Sequence, residues 1–144
     1  MIINFYTYPN NSLTFIANEK TFMMLKPDAY KRHLDKTILN ALTQDKDLKI
    51  TKEWEGIAPR EKVEKNWEDK KGKNFFKSWM DFMTSGKIKA MIVEGDNAIS
   101  KVLEFKKKIR AKFAPNEKRE NLVHSSDDLQ SANKEIHNFF DTKI

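Results

Sequence analysis

His124 lies between a short apolar run and the segment Ser125 to Asp128, which holds two serines and two aspartates. A histidine at such a place can act as a nucleophile, because neutral imidazole is populated near neutral pH and offers a nitrogen lone pair. Farther along, the spacing of a helix places Glu135 at the edge of a buried face. A carboxylate there needs a partner, and His124 or Ser126 is the nearest candidate. Serine and aspartate are also typical of a helix N-cap, so a structural role stays open.

Positive charge is concentrated in the segment from Lys101 to Arg119, which contains eight basic and two acidic residues. The segment carries a formal charge of +6, which equals the net charge of the whole chain. A charge run of this kind is either a solvated helix face or a site for anions such as phosphates or nucleic acid. The residues alone leave both interpretations open.

The sequence excludes several kinds of site. Its four glycines lie far apart, so it contains neither a Walker loop nor a Rossmann dinucleotide fingerprint. The absence of cysteine excludes disulfides, thiolate zinc sites and thiol nucleophiles. Any bound phosphate must therefore be held by cationic side chains and helix N-termini.

The composition is that of one folded domain. With 144 residues, of which 39% are hydrophobic and 11% aromatic, the chain can build a core and differs from disordered proteins. Its apolar runs are too short to span a membrane, and the N-terminus lacks a basic region followed by an apolar core. We therefore expect a cytoplasmic protein that does not associate with membranes.

The pattern of apolar residues predicts an α+β fold. Helices alternate with four predicted strands, which lie near residues 21–26, 48–56, 87–94 and 121–124. Pro59 and Gly72 are predicted to bound one helix, and Asp96 to cap another. This order favours a ferredoxin-like sandwich, in which helices pack on a four-stranded antiparallel sheet. Residues 1–19 are predicted to form an N-terminal extension with a turn at the stretch PNNS.

Three stretches together resemble the nucleoside diphosphate kinase family, namely KTFMMLKPDAY, FMTSGKIKAMIVEG and NLVHSSDDLQSANKEIHNFF. They follow the family's order between residues 20 and 140. The most specific element is Asn-x-x-His-x-Ser-Asp, from Asn121 to Asp127, with Glu135 on the next helix. The resemblance implies that residues 20–144 form a nucleoside diphosphate kinase-like domain on the predicted fold.

The resemblance also implies an activity. Members of the family transfer the γ-phosphate of a nucleoside triphosphate such as ATP to nucleoside diphosphates through a phosphohistidine, which would form on His124 here. Glu135, through or beside Ser126, would orient the ring, and Lys26 would contact the transferring phosphate, where fixed positive charge stabilises the transition state. The alternative is a catalytically weak or inactive homologue that serves as a nucleotide-binding or scaffold module.

Residues for nucleotide binding are implied in the same way. Arg110 would hold phosphates, Asn121 would bond the sugar, and Phe75 would stack on the base, which allows broad base specificity. The cofactor would be Mg²⁺ carried by the nucleotide phosphates, without metal ligands from the protein. Trp67 and Trp79 stand where the family has a tyrosine and a leucine, and either core packing or a nucleotide contact is open for both.

The chain departs from the family pattern before the histidine. His124 comes only 30 residues after Glu94, and the family's Thr-x-Pro and Pro-Gly-Thr-Ile-Arg stretches are missing. A second phosphate-binding arginine of the family aligns with Leu103, which cannot bind phosphate. The candidates to replace it are Lys101, Lys106 and Lys107, although a lysine lacks the planar fork of arginine. We expect a slow enzyme.

The same departure bears on assembly. In the family, the longer loop contributes contacts between dimers within hexamers. This chain has lost much of that loop and has lysines in its place, so like charges would face each other across the shared interface. The sequence therefore predicts a homodimer rather than a hexamer. Binding of nucleic acid is not favoured, because no RNA- or DNA-binding motif accompanies the lysines.

Overall fold

The sheet contains the four predicted strands and one more. The computed structural model describes residues 2–7 and 13–140, with side chains from residue 18 onward. In this part of the chain, one antiparallel sheet is formed by β1 (Ile2–Thr7), β2 (Leu13–Leu25), β3 (Leu48–Ile57), β4 (Lys87–Asp96) and β5 (Val123–Ser125). The strand order is β1-β2-β4-β3, and β5 also pairs with β2. Strands β2 to β5 are the predicted ones, which confirms the ferredoxin-like α+β fold.

Helices cover both faces of this sheet. They are α1 (Pro27–Lys31), α2 (Asp35–Leu42), α3 (Arg60–Asn66), α4 (Phe76–Met83), α5 (Ala98–Phe113) and α6 (Leu129–Phe140), with a 3₁₀ turn at Glu68–Lys70. The short α1, which has Pro27 in its first turn, was not predicted. The helix predicted to end at Gly72 ends at Asn66, because Trp67 leaves the helical conformation with a φ of −121° and the 3₁₀ turn follows. None of the described helices is long and apolar enough to cross a membrane.

Strand β2 is the centre of the core. Phe22, Met23, Met24 and Leu25 are all fully buried. Because side chains alternate across a strand, Met23 and Leu25 pack with α2 and α5 on one face of the sheet, and Phe22 and Met24 pack with α3, α4 and α6 on the other. Burial on both faces explains why this strand forms a continuous apolar run in the sequence.

The predicted extension, residues 1–19, adds β1 and the first part of β2 to the sheet. The pairing is antiparallel and runs from Ile2 opposite Asn18 to Thr7 opposite Leu13. The turn predicted at PNNS lies outside the described residues. Strand β2 therefore runs without interruption from the extension into the core.

The starts of two helices differ in how well the sequence predicts them. Asp96 does not cap α5, because it is the last residue of β4 and pairs with Asn18, and Asn97 takes the N-cap position. For α6 the expected cap is present, since Asp128 Oδ1 accepts a hydrogen bond of 2.7 Å from the backbone N–H of Ser131. This fixes the start of the helix that carries Glu135.

At Gly95, strand β4 passes very close to the backbone of the loop before β3. A Cβ atom at this position would lie 1.9 Å from the carbonyl oxygen of Asp47, which is backbone and cannot swing away. We expect Gly95→Ala to lower the free energy of unfolding by about 1–3 kcal/mol, the usual cost of overpacking, measured by urea denaturation. Gly86→Ala is the matched control, because its Cβ would come no closer than 3.6 Å to a neighbouring atom. Equal stability of the two variants would contradict this packing.

Candidate active site

The register between β2 and β5 positions His124. The two strands pair antiparallel with Met24 opposite His124 and Leu25 opposite Val123, and Lys26 directly follows β2. Two further backbone contacts extend this pairing, since the Lys26 N–H donates to the carbonyl of Leu122 at 2.9 Å and the Ser126 N–H donates to that of Phe22 at 3.1 Å. The histidine therefore lies on a strand, as predicted, beside the buried end of β2.

The residue before β5 is held in an unusual conformation. Leu122 is fully buried and has a φ of 76°, which is uncommon for a residue other than glycine. Its N–H donates a hydrogen bond of 3.0 Å to Asp28 Oδ2. Burial raises the pKa of the Asp28 carboxyl, while the nearby Lys26 ammonium opposes that shift. Asp28 belongs to the stretch KTFMMLKPDAY, but its type and position gave no sign of this role.

His124 and Glu135 are direct partners. The ring nitrogen Nε2 forms a hydrogen bond with Glu135 Oε1, and the two side chains are 19% and 11% exposed. A carboxylate can only accept, so Nε2 carries the hydrogen and Nδ1 keeps the lone pair. Nδ1 makes no hydrogen bond to any residue that the structure describes. The edge position predicted for Glu135 thus brings its carboxylate to the histidine.

Ser126 does not lie between these two groups. Its Oγ is completely buried and has no hydrogen-bond partner among the described residues. Its contribution to the geometry comes from its backbone N–H, which continues the pairing of β5 with β2.

Aromatic rings surround the histidine. The Trp67 ring lies edge to face with the His124 ring at a centroid distance of 5.0 Å, and the Phe22 ring lies at 6.0 Å. Trp67 in turn contacts Trp79 at 5.6 Å. Packing on one side and Glu135 on another leave the imidazole little freedom to rotate.

Lys26 is a buried cation at the same end of the sheet. Its side chain is 1% exposed, and its Nζ donates to Asn121 Oδ1 at 2.7 Å and to the carbonyl of Arg119. The ammonium also lies 4.7 Å from the centre of the Trp79 ring. Burial, and to a lesser extent the charge of Arg110, lowers the pKa of Lys26 from 10.5 to about 7. Such a site favours the arrival of an anion.

Helix α5 brings two more cations close by. Arg110 donates through Nε and Nη2 to the carbonyl of Val123, at 3.2 and 2.6 Å, and so contacts the residue that precedes His124. Lys106, one turn earlier, is 8% exposed, and its ammonium lies 3.7 Å from Asp127. Burial lowers the pKa of both side chains, and for Lys106 the charge of Arg110 adds to the effect.

A cleft opens next to these groups. Its volume is about 510 Å³, and its lining combines three aromatic with three basic side chains: Trp67, Phe75, Trp79, Lys70, Lys118 and Arg119. Phe75 is 48% exposed, unlike a core residue. Arg119 donates a hydrogen bond of 2.7 Å to Ser78 Oγ on α4, and its carbonyl accepts from Lys26. Two residues of its lining connect the cleft to the candidate site: Trp67 contacts His124, and Arg119 accepts a hydrogen bond from Lys26.

The chain is similar to known proteins in both sequence and fold. The family described as nucleoside diphosphate kinase matches residues 19–144. The enzyme of that name from Methanocaldococcus jannaschii is 39% identical over 132 residues, which are 85% of this chain and 93% of the relative. The chain belongs to the nucleoside diphosphate kinase family.

A second relative and a solved structure support the same family assignment. The nucleoside diphosphate kinase of Methylobacterium radiotolerans is 36% identical over 135 residues, which are 87% of this chain and 95% of that one. The structure of a halophilic nucleoside diphosphate kinase from Halobacterium salinarum, in complex with CDP, matches with a TM-score of 0.75 at 31% identity. That match covers 88% of this chain and 90% of the solved one.

Family membership decides between the two functions considered from the sequence. The protein is a nucleoside diphosphate kinase, an enzyme of the transferase class that acts in nucleotide metabolism. The alternative of an inactive nucleotide-binding or scaffold module is not favoured. Phosphotransferases of this family generally need a divalent cation. In residues 2–7 and 13–140, no group of three or more histidines, aspartates or glutamates is arranged to hold a metal ion.

The buried ammonium of Lys26 makes the stability of the nucleotide-free protein depend on pH. The unfolded chain keeps this proton up to a pKa near 10.4, whereas the folded protein loses it near 7, so stability rises with pH between these values. We expect the free energy of unfolding of the wild type, relative to Lys26→Met, to rise by about 1 kcal/mol per pH unit from pH 7.5 to 9.5. Below about pH 6, where both the folded and the unfolded chain keep the proton, the difference between the two should be constant.

Urea denaturation at several pH values measures this effect. Lys73→Met, which removes one exposed positive charge, controls for the change in net charge. Equal slopes for the wild type and Lys26→Met would show that Lys26 keeps its proton in the folded protein.

Proposed function

We propose that the kinase reaction runs through a phosphohistidine formed on Nδ1 of His124. The observation that carries this proposal is the direct hydrogen bond between Nε2 and the Glu135 carboxylate. It leaves Nδ1 as the ring nitrogen with a free lone pair. The strand that holds His124 is rigidly paired with β2. A nucleophile on such a support keeps its direction through both halves of a ping-pong reaction.

In the first half-reaction, the Nδ1 lone pair attacks the γ-phosphorus of a nucleoside triphosphate such as ATP. The bond from the γ-phosphorus to the bridging oxygen breaks, and the diphosphate leaves with the bonding electrons. The ring gains positive charge as the N–P bond forms, and the Glu135 carboxylate at Nε2 stabilises that charge. In the second half-reaction, a terminal oxygen of another nucleoside diphosphate attacks the phosphohistidine and releases neutral His124.

Cations hold the phosphates in this scheme. Lys26 contacts the transferring phosphate, and its lowered pKa returns toward the usual range once an anion lies beside it. Arg110 uses two of its donors on Val123 and has others left for phosphate oxygens. The divalent cation, which we propose to be Mg²⁺ bound to the nucleotide phosphates, supplies further neutralisation of charge.

The cleft takes the nucleoside. The half-exposed ring of Phe75 offers a face on which any base can stack, which supports nucleoside di- and triphosphates in general as substrates. Asn121 is buried, and its amide joins Lys26 to the carbonyl of Glu117. Lys26 also donates to the carbonyl of the cleft residue Arg119, and we propose that Asn121 bonds the sugar. Trp67 and Trp79 line the same cleft and hold His124 and Lys26 in place.

Incubation with Mg²⁺ and γ-labelled ATP tests the central step. The wild type should acquire a label that is labile in acid and stable in base, and should pass it to several nucleoside diphosphates. His124→Ala should abolish labelling, whereas His137→Ala, which changes an exposed histidine on α6, should label normally. Glu135→Gln should slow labelling by roughly 10²-fold, as expected for the loss of a charge that stabilises the transition state. A wild type that binds ADP but never acquires the label would refute the proposal.

We further propose that the chain assembles as a homodimer and not as a hexamer. Helix α5 runs without interruption through the region of the shortened loop, and its outer face presents the exposed residues Lys107, Lys108 and Lys112. Three-fold contacts through this region would bring like charges together at an interface. Light scattering coupled to gel filtration should give twice the mass of the chain at ordinary salt. A stable hexamer under those conditions would contradict this proposal.

A further inference from the structure

The position of the family's second phosphate-binding arginine is filled by Leu103, so the site lacks one cation that the family resemblance implies. Leu103 lies on α5, which is a continuous helix from Ala98 to Phe113. Residues three and four apart on a helix share one face. Leu103, Lys106 and Arg110 therefore lie in one row, and this row leads toward His124.

The three lysines that could replace the arginine have different surroundings. Lys101 pairs with Asp47 at 3.6 Å, in the loop before β3 and away from the histidine. Lys107 is 62% exposed and pairs with Glu104 on its own helix. Lys106 alone among them is buried and lies beside Arg110. Burial of a lysine is costly without a paired anion, so this placement calls for an explanation.

The partner of Lys106 in the nucleotide-free protein is weakly bound. Its ammonium lies 3.7 Å from Asp127 Oδ1, which is longer than a hydrogen bond, and the Asp127 side chain is 78% exposed. An exposed carboxylate of this kind holds little energy in the pair and can move into solvent. Burial and the charge of Arg110 lower the pKa of Lys106, so a nearby anion would relieve the repulsion between the two cations.

We propose that Lys106 binds a phosphate of the nucleotide that is not transferred, in place of the missing arginine, and that this phosphate displaces Asp127. The inference rests on the proposed function, because it requires the phosphates to lie between the cleft and His124. Lys106, Arg110 and Lys26 then form three sides of a polyphosphate site. A lysine offers one point charge where arginine offers a planar fork, which fits a slower enzyme.

Calorimetric titration of ADP and of adenosine, without phosphoryl transfer, tests this role. Lys106→Met keeps the buried stem and removes the charge, and should weaken ADP binding by about 10- to 100-fold, as for the loss of one charged hydrogen bond. Adenosine binding should not change, because adenosine has no phosphate. Lys106→Arg should retain most of the ADP affinity, and Lys107→Met, the exposed neighbour, should behave as the wild type. A thermal melt of each variant verifies folding.

The outcomes separate this inference from the proposed function. An unchanged ADP affinity in Lys106→Met, or an equal loss for ADP and adenosine, would overturn the role of Lys106 even if His124 is phosphorylated. A selective loss of ADP affinity supports it, and does so even if no phosphohistidine forms, in which case only the proposed function fails. If Lys106→Met does not fold, Lys106→Gln replaces it with the same expected selectivity.

Discussion

The hydrogen bond between His124 Nε2 and Glu135 links the strand and the helix that form the site. It joins β5 to α6, and both are fixed independently, β5 by its pairing with β2 and α6 by its packing on the core and its Asp128 cap. The bond determines which ring nitrogen keeps a lone pair, and Trp67 limits the rotation of the ring. In the proposed mechanism, this pair supplies the oriented nucleophile, and the buried cations beside it supply only a place for the phosphates.

A second constraint is the burial of positive charge. Lys26, Lys106 and Arg110 are partly or fully buried near one another, and burial lowers the pKa of each. The chain contains no glycine-rich loop to cradle phosphates with backbone N–H groups, so side chains must do so. The nucleotide-free protein therefore holds like charges together at a cost in stability. On the roles proposed above, a bound polyphosphate compensates for that cost, so stability and nucleotide affinity depend on the same three side chains.

The sequence predicted the parts of this structure that depend on local pattern. Strands β3 and β4 begin at the predicted residues, because both have a recognisable apolar pattern. In β3 apolar and polar residues alternate, and β4 contains a run of apolar residues. The position of His124 on a strand and of Glu135 at a buried edge followed from periodicity alone. Recognition of the family needed only short motifs whose residues remain in order.

Other features depend on tertiary contacts that no local pattern encodes. Strand β1 is defined by its pairing with β2 at the edge of the sheet, and the sequence of residues 1–19 does not specify that partner. Lys101, Lys106 and Lys107 are indistinguishable by type, and only the docking of α5 buries one of them. The buried Oγ of Ser126 and the backbone of Leu122 likewise depend on how β5 meets Phe22 and Asp28.

The site of phosphate attachment on the His124 ring tests the central claim most directly. The protein labelled with ¹⁵N in histidine, phosphorylated by ATP and studied by ¹⁵N and ³¹P NMR, distinguishes the two nitrogens. The account predicts that the free enzyme carries its hydrogen on Nε2 and that phosphate is bonded to Nδ1, with Nε2 still protonated beside Glu135. Phosphate bonded to Nε2 would show that the Glu135 bond does not select the nucleophile, and would contradict the account.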